Sequence, residues 1–199
     1  GSLVPRGAIA DHITFGGVPI FYPGTVDDAE HQGGRWGYYP SLDDHYYVIE
    51  MARHAIHREG RDDLLTAEVG GMHLIDRLAL AFSVPPVRSD TGLVWCDEAR
   101  RGVSFGFTDT VIHTGDLLFC SLLRHRAAGR LADFSRRLGR DGEAEAYERM
   151  QRTLSKQIPR TFADPSGLLR ASTGKSAQPD VWGSTFAIYT DALPEPVAA

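Results

Sequence analysis

Two cysteines in 199 residues, Cys96 and Cys120, are too few for a disulfide framework or a thiolate zinc cluster. A single bridge between them is left open. Cys120, inside LLFCSLL, reads as a small buried apolar residue, whereas Cys96 lies in a polar loop where it could be exposed. No apolar run approaches the ~20 residues that a membrane span needs, so no membrane partner is expected. The formal charge is −5 and no Lys/Arg cluster offers a counter-ion groove, which argues against a nucleic-acid surface. The basic residues Arg124, Arg126, Arg130, Arg136, Arg137 and Arg140 are spread over a helical segment among apolar positions and are expected to form a solvated face. Strand signals are few, and there is no low-complexity segment.

Several chemistries are also missing. His54 and His57 sit three apart on one helix face but have no third ligand, and the other histidines show no metal-binding spacing. Neither a Ser-His-Asp arrangement nor a nucleophile elbow is present. The GKS of STGKS (172–176) lacks the spacing of a P-loop. No cofactor or metal is implied.

What is present is a series of helical patterns separated by long polar loops. Residues 1–8, GSLVPRGA, resemble a thrombin cleavage sequence left from cloning and are kept out of the fold reasoning. Residues 9–193 read as one domain and 194–199 as a tail. Residues 12–40 alternate Gly, Pro and aromatics with no helical period, and only ITF and VPIFY look extended. An ordered loop of this length is unusual and is often functional. It carries Trp36 and Tyr38 among acids and an arginine, a composition suited to sugars: rings stack on C–H faces and polar groups take hydroxyls. Packing of the aromatics over helix ends is the plainer alternative. Ser41-Leu42-Asp43-Asp44 resembles a capping box and starts a helix that Gly60 stops near Glu59.

A second helix is expected over 62–82, with Gly70-Gly71 permitting close packing or a bend. A third is expected from Asp109 to about Leu138, capped by Thr108-Asp109, with a break near Gly129. A fourth covers about 143–158 and a fifth starts at Val181. Short links pair these helices as antiparallel hairpins. The fold class is therefore all-α, an array of helical hairpins with long functional loops.

The stretch from Trp95 to Leu123 organises the chain, since it passes from a charged aromatic loop into a strongly apolar helix. Acid and ring recur together at three loop-to-helix junctions: Asp43/Asp44 with Tyr46, Asp97/Glu98/Asp109 with Trp95, and Asp180 with Trp182. Asp109 is either an N-terminal cap or a catalytic carboxylate, and a helix N-terminus would lower its pKa. Asp97 and Glu98 either pair in solvent with Arg100 or Arg101 or serve chemistry. Asp180 and Trp182 are either a cap with a core ring or a carboxylate and stacking ring at a funnel mouth, where Gln178 could bind a hydroxyl.

GFTDTV, LLFCSLL, the long helical pair and GLLRASTGKSAQPDVWGSTFAIY together resemble six-hairpin glycosidases, the (α/α)6 toroid hydrolases. The segment FYPGT…GRWGYYPSLDDHYYVIEMA is similar to the start of one of their inner helices. The resemblance covers most of 12–193 in pattern and architecture. It implies a ring of inner and outer helices and a carbohydrate substrate in a funnel at one end, with two carboxylates doing the chemistry. Carried onto this chain, it points to Asp109 and Asp97 as catalytic groups. The sugar contacts would be Trp36, Tyr38, Asp43, Asp44, Trp95, Gln178, Asp180 and Trp182. Two hairpins and one further helix make only part of such a ring, so the chain reads as an incomplete toroid whose open apolar faces favour self-association. A non-catalytic sugar-binding or self-associating helical module is the competing expectation.

Overall fold

A computed structural model describes residues 7–10, 12–13, 15–17, 19–20, 42–97 and 111–193. Among them five α-helices carry the fold: α1 (Asp44–Glu59), α2 (Leu74–Ser83), α3 (Leu118–Arg137), α4 (Asp141–Phe162) and α5 (Val181–Tyr189). Three two-residue antiparallel ladders accompany them: β1 (His12–Ile13) with β2 (Pro19–Ile20), β3 (Trp95–Cys96) with β4 (Gly115–Asp116), and β5 (Leu169–Arg170) with β6 (Pro179–Asp180). The protein is mostly helical, in keeping with the all-α expectation. No described helix is long and apolar enough to cross a membrane.

α3 is the centre. Its buried residues point to all sides, so it lacks the single apolar stripe of a surface helix. Phe119, Cys120, Leu123, Ala127, Leu131 and Phe134 join Tyr46, Ile49 and Ile56 of α1 and Leu78 and Phe82 of α2 in one core. Leu118 and Leu122 face a second core with Leu154, Ile158 and Phe162 of α4 and Ala187 of α5. Gly129 does not break α3. It leaves room for the Gln151 side chain of α4, whose amide nitrogen would lie 2.6 Å from a Cβ there.

Side-chain pairs fix the directions. Glu50 of α1 meets Arg126 and Arg130 of α3, while the start of α1 lies near Cys120, so the two helices run the same way. Phe119 stacks with Trp182 and Phe186, and Arg126 lies over Tyr189, so α5 also runs with α3. Arg124 donates to the Phe82 carbonyl and Arg140 pairs with Asp76, so α2 runs against α3. His125 meets Ser155 and Arg136 meets Glu148, so α4 does likewise. The starts of α1, α3 and α5 therefore share one end of the molecule.

Several expectations need correction. The expected helix over 62–82 is a 3-10 turn (Asp62–Thr66), an irregular link and α2. Gly70 and Gly71 take φ of 56° and 76°, which a right-handed helix cannot accommodate. Arg77 locks that link by donating to the Val69 and Gly70 carbonyls. The expected helix from Asp109 begins only at Leu118, so the Thr108-Asp109 pair is not its cap.

The residues just before α3 are extended because they hydrogen-bond across the molecule. Leu117 N donates to Val94 O, and Thr173 N to Asp116 O. Gly115, at φ 80°, lies so close to Thr173-Gly174 that a Cβ would meet the Gly174 nitrogen at 2.8 Å. At α1 the N-cap position is Asp43, whose side chain makes no capping bond, and Ser41 lies outside the described residues.

The arginines are not one solvated face. Arg124 is buried with its guanidinium over the Phe82 ring, and Arg126 and Arg130 are largely covered. Arg136, Arg137 and Arg140 do make peripheral ion pairs. Cys96 is buried too, with its thiol donating to the His113 carbonyl, and no disulfide joins the two cysteines.

Phe134 is fully buried at the junction of α3 with its neighbours. Phe134→Ala is expected to lower the unfolding free energy by about 3–5 kcal/mol, measured as a shift in the urea midpoint at unchanged slope.

Candidate functional site

The shared end of α1, α3 and α5 is built by backbone stapling. Segment 112–117 is held between β3 and the 172–176 loop. Gly174 N donates to Thr114 O at 2.8 Å, Lys175 N to Thr114 Oγ1 at 2.9 Å, and Asp116 N to Thr173 Oγ1 at 2.8 Å. Ser176 Oγ donates to Ile112 O at 2.7 Å. STGKS is thus a structural clasp that fixes the approach to α3 against the approach to α5.

Asp43 is buried and Asp44 half-buried at the start of α1. Burial, then Asp43, pushes the Tyr47 phenol up to about 12. Burial also pushes the Cys120 thiol well above its ordinary value, with Asp43, Cys96 and Asp44 adding to the effect. These carboxylates therefore act on the first turn of α3.

Asp180 occupies the N-cap of α5 and accepts from Gly183 N at 2.9 Å. Its charge also reaches His113, whose pKa burial nevertheless lowers. Trp182, in the first turn of α5, is exposed, with its ring centroid 4.8 Å from that of Phe119. Asp43, Asp44, Asp180 and Trp182 thus gather around the first turns of α1, α3 and α5.

The remaining expected residues divide. Asp97 is exposed at the end of β3, next to Cys96 and hence close to His113. Trp95 lies instead under the Arg88 guanidinium at 4.4 Å, and Arg88 Nε donates to Asp116 Oδ1 at 2.7 Å. Gln178 is exposed, and its backbone carbonyl accepts from Ala171 N. Asp109, Trp36 and Tyr38 lie outside the described residues, as does Glu98. No group of three or more potential metal ligands occurs among the described residues.

A second feature escaped the sequence. A cleft of about 510 Å³ opens farther along α3, lined by Arg53, Arg126, Arg130, Gln151, Tyr189 and Asp191 among others. His125 is in its wall, buried, with Nε2 2.9 Å from Ser155 Oγ. The sequence signal was only the i, i+4 spacing of Arg126 and Arg130. Their common partner Glu50 comes from a helix some 80 residues earlier, which periodicity cannot reveal.

No protein-family model matches the chain, and a search of curated proteins returns no match.

Two outcomes follow from this geometry. Removing the Asp180 cap in Asp180→Ala should cost about 1 kcal/mol of stability, read by thermal or urea unfolding. Burial depresses the pKa of His125 to about 4 against an opposing pull from Asp191. The unfolded chain takes up that proton near its ordinary ~6.5 and the folded chain does not. The contribution of His125 is therefore complete above ~6.5 and is lost between there and about 4, by roughly 3 kcal/mol. His125→Gln should show a smaller loss of urea resistance between pH ~7 and ~5 than the unaltered chain, and an equal loss would refute this account.

Proposed function

We propose that this chain is a carbohydrate-active glycoside hydrolase of the six-hairpin type, or part of one, with its sugar site at the common starting end of α1, α3 and α5. One observation carries the reading: three helices running in the same direction begin side by side, with Asp43 and Asp44 at the first and Asp180 and Trp182 at the third. α2 and α4 run against α3, and opposed neighbouring helices are compatible with an α/α toroid built from hairpins.

Glycoside hydrolysis requires one carboxylic acid to protonate the departing oxygen and a second carboxylate to activate water or attack the sugar carbon. Asp97 and Asp109 are assigned these roles, as the acids on the loop leading into α3. Asp43, Asp44 and Gln178 are assigned to hydroxyls. Trp182 offers an exposed face for stacking on a pyranose ring, and Asp180 holds the start of α5 so that this face stays in place. Trp36 and Tyr38 are proposed to complete the aromatic rim; Trp95, whose ring is taken up by the Arg88 guanidinium, is left out of it.

The competing reading is a non-catalytic sugar-binding or self-associating helical module. It is favoured by the outward side of α5, where Val181, Trp182, Ile188 and Tyr189 leave large apolar surface exposed.

Turnover of aryl glycosides separates the two. Hydrolysis is expected, with Asp97→Asn lowering kcat by about 100-fold or more and Trp182→Ala raising KM with far less effect on kcat. Circular dichroism would check that both variants fold. Glycan binding without turnover, together with concentration-dependent sedimentation, would instead establish the module. Full activity in Asp97→Asn would remove the assigned catalytic role.

A further inference from the structure

We propose that the cleft between α1, α3, α4 and α5 binds the oxyanion head, a carboxylate or a phosphate, of a small ligand, with Arg53, Arg126 and Arg130 as its cationic wall. The cleft is separate from the helix-start end: its residues on α3 lie two to three turns beyond Leu118. Its volume of about 510 Å³ is that of a small-molecule site.

The charges do not balance. Among the described residues three guanidiniums meet two carboxylates, Asp191 in the wall and Glu50 paired with Arg126 and Arg130, which leaves one positive unit over. Glu50 binds through a single oxygen: Arg126 Nε lies 3.0 Å and Arg130 Nε 2.9 Å from Oε1. Arg130 Nε donates to that oxygen, whereas Arg126 Nε is close to it without forming a hydrogen bond, and Tyr189 also interacts with the Arg126 guanidinium. Guanidinium forks suit the parallel oxygens of a carboxylate or phosphate.

Arg53 makes no ion pair or hydrogen bond with the protein among the described residues, so its charge is available to a ligand. The Arg126 guanidinium also lies 5.1 Å from the centroid of the Tyr189 ring, which fixes its plane. His125 and Gln151 add neutral donors and acceptors to the wall, and Gly129 keeps the floor between them open.

The prediction is of binding, so it stands even if glycosidase activity proves absent. Isothermal titration of the full chain with sodium malonate and, separately, sodium phosphate tests it, with ionic strength held constant by sodium chloride. Saturable one-site binding of either anion is expected. Preference for malonate assigns the head as a carboxylate, and preference for phosphate as a phosphoryl group.

Arg53→Gln should weaken binding about tenfold, the loss of one charge-assisted hydrogen bond, without moving the thermal midpoint. Arg130→Lys keeps the charge but removes the fork and should also weaken binding. The proposal fails if neither anion binds saturably above chloride, or if Arg53→Gln binds as the unaltered chain does.

Discussion

A helix buried along most of its length must place the polar groups it takes inside, and α3 takes in many. Ser121, Arg124, His125 and Ser135 are all buried on it, and among them the Ser135 hydroxyl has no hydrogen-bond partner among the described residues. Ser121 Oγ accepts from Val94 N, and Arg124 donates to the free carbonyl of Phe82 near the end of α2. His125 meets Ser155, and Arg126 and Arg130 converge on Glu50. An unpaired charge at these positions would cost several kcal/mol, so these contacts specify which helix lies where around α3. The apolar residues alone would tolerate other rotations of the same helices.

Both candidate regions are consequences of that constraint. The Glu50 bridge and the Tyr189 contact align α1 and α5 with α3, which brings their starts together. The same bridge sets Arg126 and Arg130 in the wall of a cleft farther down the bundle. Polar groups that order the interior thereby also shape its two openings. The extended clasp between 112–117 and 172–176 then sets how the chain arrives at α3 and α5. It explains why α3 begins only at Leu118, with eight residues between it and the cap-like sequence Thr108-Asp109. The residues just before Leu118 are tied by hydrogen bonds to a segment some 60 residues away.

Much of the helical layout was legible from local information. The span of α1, the stop at Gly60, the long α4 and the start of α5 at Val181 agree with periodicity and capping. Those signals depend on neighbours three and four residues apart, which a sequence displays directly. The residues before α3 misled because their hydrogen-bond partners are distant. The 62–82 stretch misled because its apolar spacing continued through two glycines whose backbone does not. At the candidate sugar site, the acid-and-ring junctions of Asp43/Asp44 and of Asp180 with Trp182 were visible in sequence. Their proximity to each other was not.

The sequence by itself determined that the chain is helical, which residues start and end most of its helices, and which junctions carry carboxylates beside aromatic rings. Only the tertiary structure decided that α1, α3 and α5 run together, that Cys96 is buried, that Trp95 lies under Arg88, and that Arg53, Arg126 and Arg130 surround one cleft. The division has a physical cause. Helix formation is governed by contacts within a turn or two, whereas the direction of packing and the fate of a buried charge depend on partners brought in from far along the chain.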